Sequence, residues 1–259
     1  TEGTMRDVTE RKLYENSLIS LNNDLNILND QKNKLLSVIA HDLRNPISSC
    51  VGLLEVVFMD IETNSKKELV EYMVMMQKSL LNAHELLMDL LEWAKIQFNS
   101  VDFNPVLIND IKNHVRHCIK KVEHIADAKQ IEISEDIEDD MQLSLDKYML
   151  DAIIRNLVTN SVKFSNSGGK IIVSAKKEGN GITFSVTDNG IGIESQNIDK
   201  IFSDDTYFTS YGTKGEKGTG MGLSLCRNFV EKHGGKMWVE STVGKGSKFY
   251  FHIPDQMTF

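Results

Sequence analysis

The sequence predicts two structural parts, an all-α helical hairpin that dimerises into a four-helix bundle, followed by an α+β sandwich. Three observations carry this. Apolar residues recur at alternating spacings of three and four through most of the first hundred residues, the period of a helix with one buried seam. The stretch from Asn99 to Pro105 breaks that period and marks a domain boundary. Beyond it, helical stretches mix with short alternating runs, the mark of strands buried on one face. At 259 residues the chain is long enough for two ordinary domains. Its 41% hydrophobic and 25% charged residues place it among globular proteins.

The net charge of −8 argues against general nucleic-acid binding, which favours a basic footprint. It also means that any anionic ligand must be held by local devices such as a metal ion, backbone amides and a few lysines. No apolar run reaches the length of a membrane span, and no signal-peptide pattern opens the chain. Because the first residue is Thr1, the expectation is a piece of a longer protein, placed in the cytoplasm. Cys50, Cys118 and Cys226 are odd in number and widely spaced, so reduced, partly buried thiols are expected rather than disulfides.

Residues 1–29 read as a leading segment that enters a signalling coiled coil. Leu18, Leu21, Leu25, Leu28, Lys32, Leu35 and Ile39 form one seam, with Lys32 its single polar member. Neighbouring asparagines are poor helix formers, so the segment depends on a partner helix for order. Residues 30–100 form the hairpin. Pro46 interrupts its first helix, whose apolar face resumes with Ile47, Val51, Leu54, Val57, Phe58 and Ile61. Thr63-Asn64-Ser65 makes a turn and a cap. The second helix carries Leu69, Met73, Met76, Leu80, Ala83, Leu87, Leu90 and Ala94. Two helices alone cannot bury both faces, and pairing with a second copy is the simplest solution. Residues 101–259 hold the sandwich. Helices are expected near 109–125, 146–164 and 220–233. Strands are expected near 130–134, 141–145, 170–175, 182–187, 236–241 and 247–253, with a polar loop from about 194 to 217.

Four groups of residues carry chemistry. His41 falls outside the heptad seam and faces solvent, as a nucleophile with two successive partners should. An imidazole attacks through a nitrogen with a free lone pair, so the other nitrogen carries the proton, and Asp42 is placed to hold and accept it. Asn45 lies one turn on, where its amide can orient a water or an incoming carboxylate. Asn156, Asn160 and Lys163 share one helix face. Amide oxygens suit a Mg²⁺ ion held largely by phosphate, and the lysine offsets phosphate charge. Asp188 ends a strand before Asn189-Gly190-Ile191-Gly192, where a carboxylate can accept from an adenine amine while the glycines let the chain turn tightly. Gly218, Gly220 and Gly222 open a helix whose N-terminal amides favour phosphate, with Lys217 beside them. This is neither a Walker loop nor a dinucleotide fingerprint. His114, His117 and His124 recur on one helix face, but no acidic or cysteine ligand completes a metal set in sequence.

His41-Asp42-Leu43-Arg44-Asn45-Pro46 resembles the H box of the sensor histidine kinases of two-component systems. The asparagine helix and the two glycine motifs resemble, in the same order, the N box and glycine boxes of their Bergerat-fold ATP-binding domain. The likeness covers roughly residues 30–253. It implies that His41 is autophosphorylated by ATP, that Asp42 acts as base, and that Asn45 supports phosphatase activity toward a receiver domain. It implies that Asn160 and Asn156 coordinate Mg²⁺ and contact phosphates, that Phe164 packs on adenine and that Asp188 reads it. Gly244 to Phe249 matches a late glycine segment, with Ser247 a candidate for a water-mediated adenine contact. Residues 201–217 would be the ATP lid, although Phe202-Ser203-Asp204-Asp205 departs from the family's usual Phe-x-Pro-Phe. Asp7-Val8-Thr9-Glu10-Arg11 resembles the tail of a PAS sensor domain. The implied partners are a second copy, a response regulator and an upstream PAS-like sensor. The rivals are a dimeric scaffold with a silent pocket, and an ATPase or serine kinase acting on another protein.

Overall fold

The computed structural model describes residues 12, 14, 18–19, 21–22, 40, 43–59, 65–97, 103–202, 209–216, 218, 220 and 222–255. The chain divides into two compact units, Thr1–Leu91 and Glu92–Phe259. The PAS-like stretch and most of the expected seam before His41 lie outside the described residues. Leu18 and Leu21 of that seam are helical and exposed.

The first unit holds helix α1 (residues 43–59) and most of α2 (Lys66–Gln97), whose last residues, from Glu92, belong to the second unit. Pro46 is accommodated within α1 without ending it. A capping box starts α2. Ser65 N–H and hydroxyl both donate to Glu68 Oε2, at 2.8 and 2.7 Å, and Glu68 N–H returns to Ser65 Oγ at 3.3 Å. These bonds hold the Glu68 carboxyl below its ordinary pKa. The two helices meet where Cys50, buried, donates from its thiol to the Met76 carbonyl at 3.5 Å. Much of the remaining apolar surface is uncovered: Phe58 is 71% exposed and Met73 60%, alongside Ile47, Val51, Leu54, Leu80 and Leu87.

In the second unit a five-stranded sheet runs in the order β2-β4-β5-β7-β6, made of β2 (Glu132–Ile137), β4 (Lys170–Glu178), β5 (Gly181–Asp188), β6 (Lys236–Thr242) and β7 (Gly246–Pro254). Only the β2–β4 pair is parallel. Three helices, α3 (Ile111–Asp127), α4 (Lys147–Phe164) and α6 (Gly222–Lys232), supply the covering layer. Register explains the core. Ile171, Val173 and Ala175 alternate inward, next to Asp188, Val186 and Phe184, which in turn face Phe249 and Phe251. Phe184 and Phe251 stack at 4.7 Å. On α3, Ile111, Val115, Cys118, Val122 and Ala126 form the matching buried stripe.

Caps fix the helix starts. Asp110 accepts from Asn113 N–H and Asp146 from Met149 N–H, at 2.8 and 3.1 Å. His233, buried, ties the start of α4 to the end of α6. Its Nδ1–H donates to the Phe229 carbonyl at 2.7 Å, so its Nε2 accepts Asp146 N–H at 3.0 Å. Burial holds this imidazole below its usual pKa. Two features depart from the sequence expectation. A short strand β1 (Val106–Ile108) pairs antiparallel with β3 (Leu143–Leu145), where no strand was expected at 106–108. A helical turn α5 (Ser195–Ile198) and a 3₁₀ turn (Lys200–Phe202) replace the start of the expected loop. Among the described residues, no helix is long and apolar enough to cross a membrane, and Cys50, Cys118 and Cys226 are unpaired with one another and buried.

Candidate nucleotide site

The site is organised by the C-terminal half of α4. Leu157, Val158, Ser161 and Val162 face the core, which leaves Asn156, Asn160 and Lys163 half-buried on the opposite side. Asn160 Nδ2 donates to Asn156 Oδ1 at 3.0 Å. That bond occupies one amide oxygen and leaves Asn160 Oδ1 as the acceptor for an incoming ligand. A single neutral oxygen fits a Mg²⁺ ion whose other ligands are phosphate and water. Lys163 Nζ donates to the Ser210 carbonyl at 3.0 Å and lies 4.6 Å from the centre of the Phe164 ring. Burial, opposed by Glu216 and reinforced by the Lys129 charge, brings its pKa down to about 8.

A helix end leaves its last carbonyls without intrahelical partners. Here Ser161 O closes the helix's own last turn, and carbonyls beyond it bind other parts of the site. Ser161 O accepts from Ser165 N–H at 3.0 Å, and Phe164 O accepts from Ile191 N–H at 3.1 Å, which anchors the first glycine motif. Lys163 O accepts from Thr213 N–H at 3.0 Å, which anchors the loop before the second. Gly190 sits so close to Phe164 O that a Cβ would collide with it, and Gly192, at φ +73°, is pressed in the same way against Thr242 O.

Asp188 forms the floor. It is 6% exposed, and its Oδ1 accepts from Gly190 N–H at 2.9 Å and Ser247 N–H at 3.2 Å. Its Oδ2 accepts from the Ser161 hydroxyl at 3.3 Å and retains capacity for a further donor. Burial raises the carboxyl pKa, and the three hydrogen bonds oppose that rise. Ser247 therefore reaches Asp188 through its backbone, while its hydroxyl lies 3.0 Å from Ser241 Oγ. Ser161 was not anticipated from sequence. Its signal was a hydroxyl on the apolar stripe of α4.

The second glycine motif lies over the same helix face. A Cβ at Gly222 would strike the Asn156 amide, and one at Gly218 would come within 2.6 Å of Lys163 Nζ. Gly220 has φ +74°. The N-terminus of α6, starting at Gly222, thus lies beside Asn156, where its free amides suit an anion. Lys217 and residues 203–208 of the expected lid lie outside the described residues, as do His41 and Asp42. Asn45 is exposed on α1. One sequence expectation is corrected. His114 does meet an acid and a thiol, because α4 brings Asp151 against α3, and the donor atoms of His114, Cys118 and Asp151 lie within 4.8 Å of one another. Asp151 Oδ1 is 2.7 Å from His114 Nε2 and accepts from Cys118 Sγ at 3.1 Å, while Lys121 Nζ holds Oδ2 at 3.0 Å. Burial pushes the Cys118 thiol up to about 12, and Lys121 already balances the acid, so the cluster ties α3 to α4. His117 and His124 are exposed and apart from it.

Residues 31–99 match the His Kinase A (phospho-acceptor) domain family, and residues 145–257 the family of histidine kinase-, DNA gyrase B- and HSP90-like ATPases. An adaptive-response sensory kinase, SasA, of Prochlorococcus marinus subsp. pastoris is 34% identical over 87% of this chain and 59% of its own. The sensor histidine kinase ZraS of Escherichia coli K12 is 33% identical over 86% of this chain and 46% of its own. This chain thus spans about half the length of those relatives. The catalytic domain of histidine kinase ThkA is 28% identical, covers 59% of this chain and 96% of its own, and superposes with a TM-score of 0.52. ThkA in complex with the response regulator TrrA shares the fold over 97% of this chain and 68% of its own, at a TM-score of 0.66 and 24% identity.

Proposed function

This chain belongs to the sensor histidine kinases of two-component systems, carrying a phospho-acceptor domain followed by an ATPase domain, and we propose that it transfers the γ-phosphoryl of ATP to His41. The supporting observation is the convergence on one helix end of a buried carboxylate, two glycine motifs and a lysine. In this reading Asp188 accepts from the adenine amine, backed by Ser161, and Phe164 packs beside the base. Lys163, Lys217 and the α6 N-terminus offset phosphate charge around Gly218, Gly220 and Gly222. Asn160, next to Asn156, would hold Mg²⁺, which supplies charge neutralisation on the phosphates when bound. Ser247 and the turns at Gly190 and Gly192 keep the floor in place.

His41 attacks the γ-phosphorus through its unprotonated nitrogen. A nitrogen–phosphorus bond forms, the bond to the β-phosphate oxygen breaks, and ADP leaves with that electron pair. Asp42 takes the ring proton as the imidazole loses its neutral form. Positioning and electrostatics supply most of the rate, as in other phosphoryl transfers. The phosphoryl then passes to an aspartate on a response regulator, and Asn45 orients water when the same surface removes phosphate from that partner. Residues 1–29 pass a signal from a PAS-like sensor, residues 30–100 pair with a second copy, and residues 101–259 bind nucleotide. ATP and the receiver place this part of the protein on the cytosolic side.

Incubation with γ-labelled ATP tests the proposal. Acid-labile label is expected on the native chain and none on His41→Gln. Label that persists in that variant, or turnover without any label, would remove the histidine from the chemistry.

A further inference from the structure

We propose that Lys129, remote in sequence from every nucleotide motif, is a positioning residue that clamps the second half of the lid to the end of α4 and so sets the triphosphate end of the pocket. The inference rests on the nucleotide reading above. Lys129 lies in the turn after α3 and is 5% exposed. A lysine is seldom buried so deeply without partners. Its Nζ lies 2.9 Å from Val162 O, 2.9 Å from Lys163 O, 2.9 Å from Thr213 Oγ1 and 2.6 Å from Glu216 Oε1. Three N–H groups are thus shared among four acceptors, two on the helix end and two on the lid.

The lid side is itself a closed unit. Gly212 N–H donates to Glu216 O at 2.8 Å, Lys214 N–H donates to Glu216 Oε2 at 2.7 Å, and Gly215 turns at φ +76°. Thr213 carries the connection onward, its hydroxyl accepting from Lys129 and donating to Ser165 O at 2.7 Å. One residue pair before this turn, Ser210 O receives the Lys163 ammonium. The ammonium that would meet phosphate is therefore held between a helix end and a lid segment that one buried cation joins. Capping the orphan carbonyls of α4 explains two of the four contacts. It does not call for Glu216, a charged lid residue whose burial works against its ionisation and whose bonds to Lys129 and Lys214 more than offset that cost. A charge brought from the lid to meet a buried lysine couples lid position to helix position.

The test uses the full chain and four proteins: unmodified, Glu216→Gln, Lys129→Met and the double variant. Dissociation constants for ATP and for ADP are measured on each, with thermal unfolding alongside. Glu216→Gln, on the lid and outside the core, should weaken ATP about tenfold, which is about 1.4 kcal/mol. Its ADP affinity should change by less than about twofold, because the adenine end shares none of these bonds. Lys129→Met should reproduce the same selective loss, and the double variant should be no worse than the worse single one. Equal loss of both nucleotides in Glu216→Gln, or no loss, overturns the clamp. If Lys129→Met fails to fold, Glu216→Gln decides alone. Failure of the unmodified chain to bind either nucleotide overturns the functional reading, and the clamp with it.

Discussion

The two units use apolar residues in opposite ways. The hairpin presents Leu54, Phe58, Met73 and Leu80 to its surroundings, whereas the sheet unit seals Phe184 and Phe251 of the sheet, with Phe229 of α6, between the sheet and three helices. Both carry strong periodic patterns, so pattern strength does not distinguish them. The difference lies in layers. A sheet face closed by α3, α4 and α6 is complete within one chain, while two helices have more apolar surface than one interface can cover. The contrast shows which unit closes its own core and which leaves an apolar face uncovered among the described residues.

The largest effect that would break this contrast is in the sheet. Phe251→Ala should cost about 3–5 kcal/mol of unfolding free energy, read by denaturant melts of residues 101–259. Phe58→Ala, despite removing a similar side chain, should leave chain stability nearly unchanged and weaken self-association, read by light scattering against concentration. A large stability loss at Phe58 would mean that the hairpin closes on itself. Next in size is Asp188→Asn. Losing a charged acceptor of about 1.5–3 kcal/mol should weaken nucleotide roughly ten- to a hundredfold while the melt of the domain stays close to that of the unmodified protein.

A smaller effect follows from Lys163. Its ammonium loses a proton near about 8, far below a free lysine, because it is buried. Phosphate favours the charged form, so nucleotide affinity should fall as pH rises through about 8, and binding above that pH should take up a proton. Titration calorimetry in two buffers reads the uptake, and Lys163→Gln should flatten the profile. A profile unchanged by that substitution assigns the proton elsewhere. The smallest effect is at the start of α2, where Ser65→Ala should cost about 1 kcal/mol, seen as a lower melting point of the hairpin and no change in nucleotide affinity.

Much of this architecture is legible in the sequence because it rests on local periods. The helical period of α3, the alternation of β4 and β5, and the cap at Ser65 all follow from neighbouring residues. What escaped reading depends on distant ones. Val106 to Ile108 is too short to show a period, and it is a strand only because Leu143 to Leu145 lies opposite. Strand β2 runs on past Ser134 to Ile137, carrying Glu135 and Asp136 along the parallel register with β4. In the site, Asn156, Asn160, Lys163 and the glycines could be placed from spacing. Lys129 could not, because a lysine after a helix looks solvated, and its partner Thr213 is 84 residues away. The histidine row on α3 misled for the same reason, since Asp151 comes from another helix.

The expected lid is fastened near both its ends. At its start, Phe202 O accepts from Arg227 Nη1 at 3.2 Å, and the Phe202 ring meets Phe249 edge-on. Near its end, the turn at Gly212 to Glu216 is bonded to Lys163 O of α4 and to Lys129. Two fixed anchors set the span that the chain between them must close, and closing a loop costs only slowly more as residues are added, so an insertion between Phe202 and Gly212 should lower the melting point of the domain little.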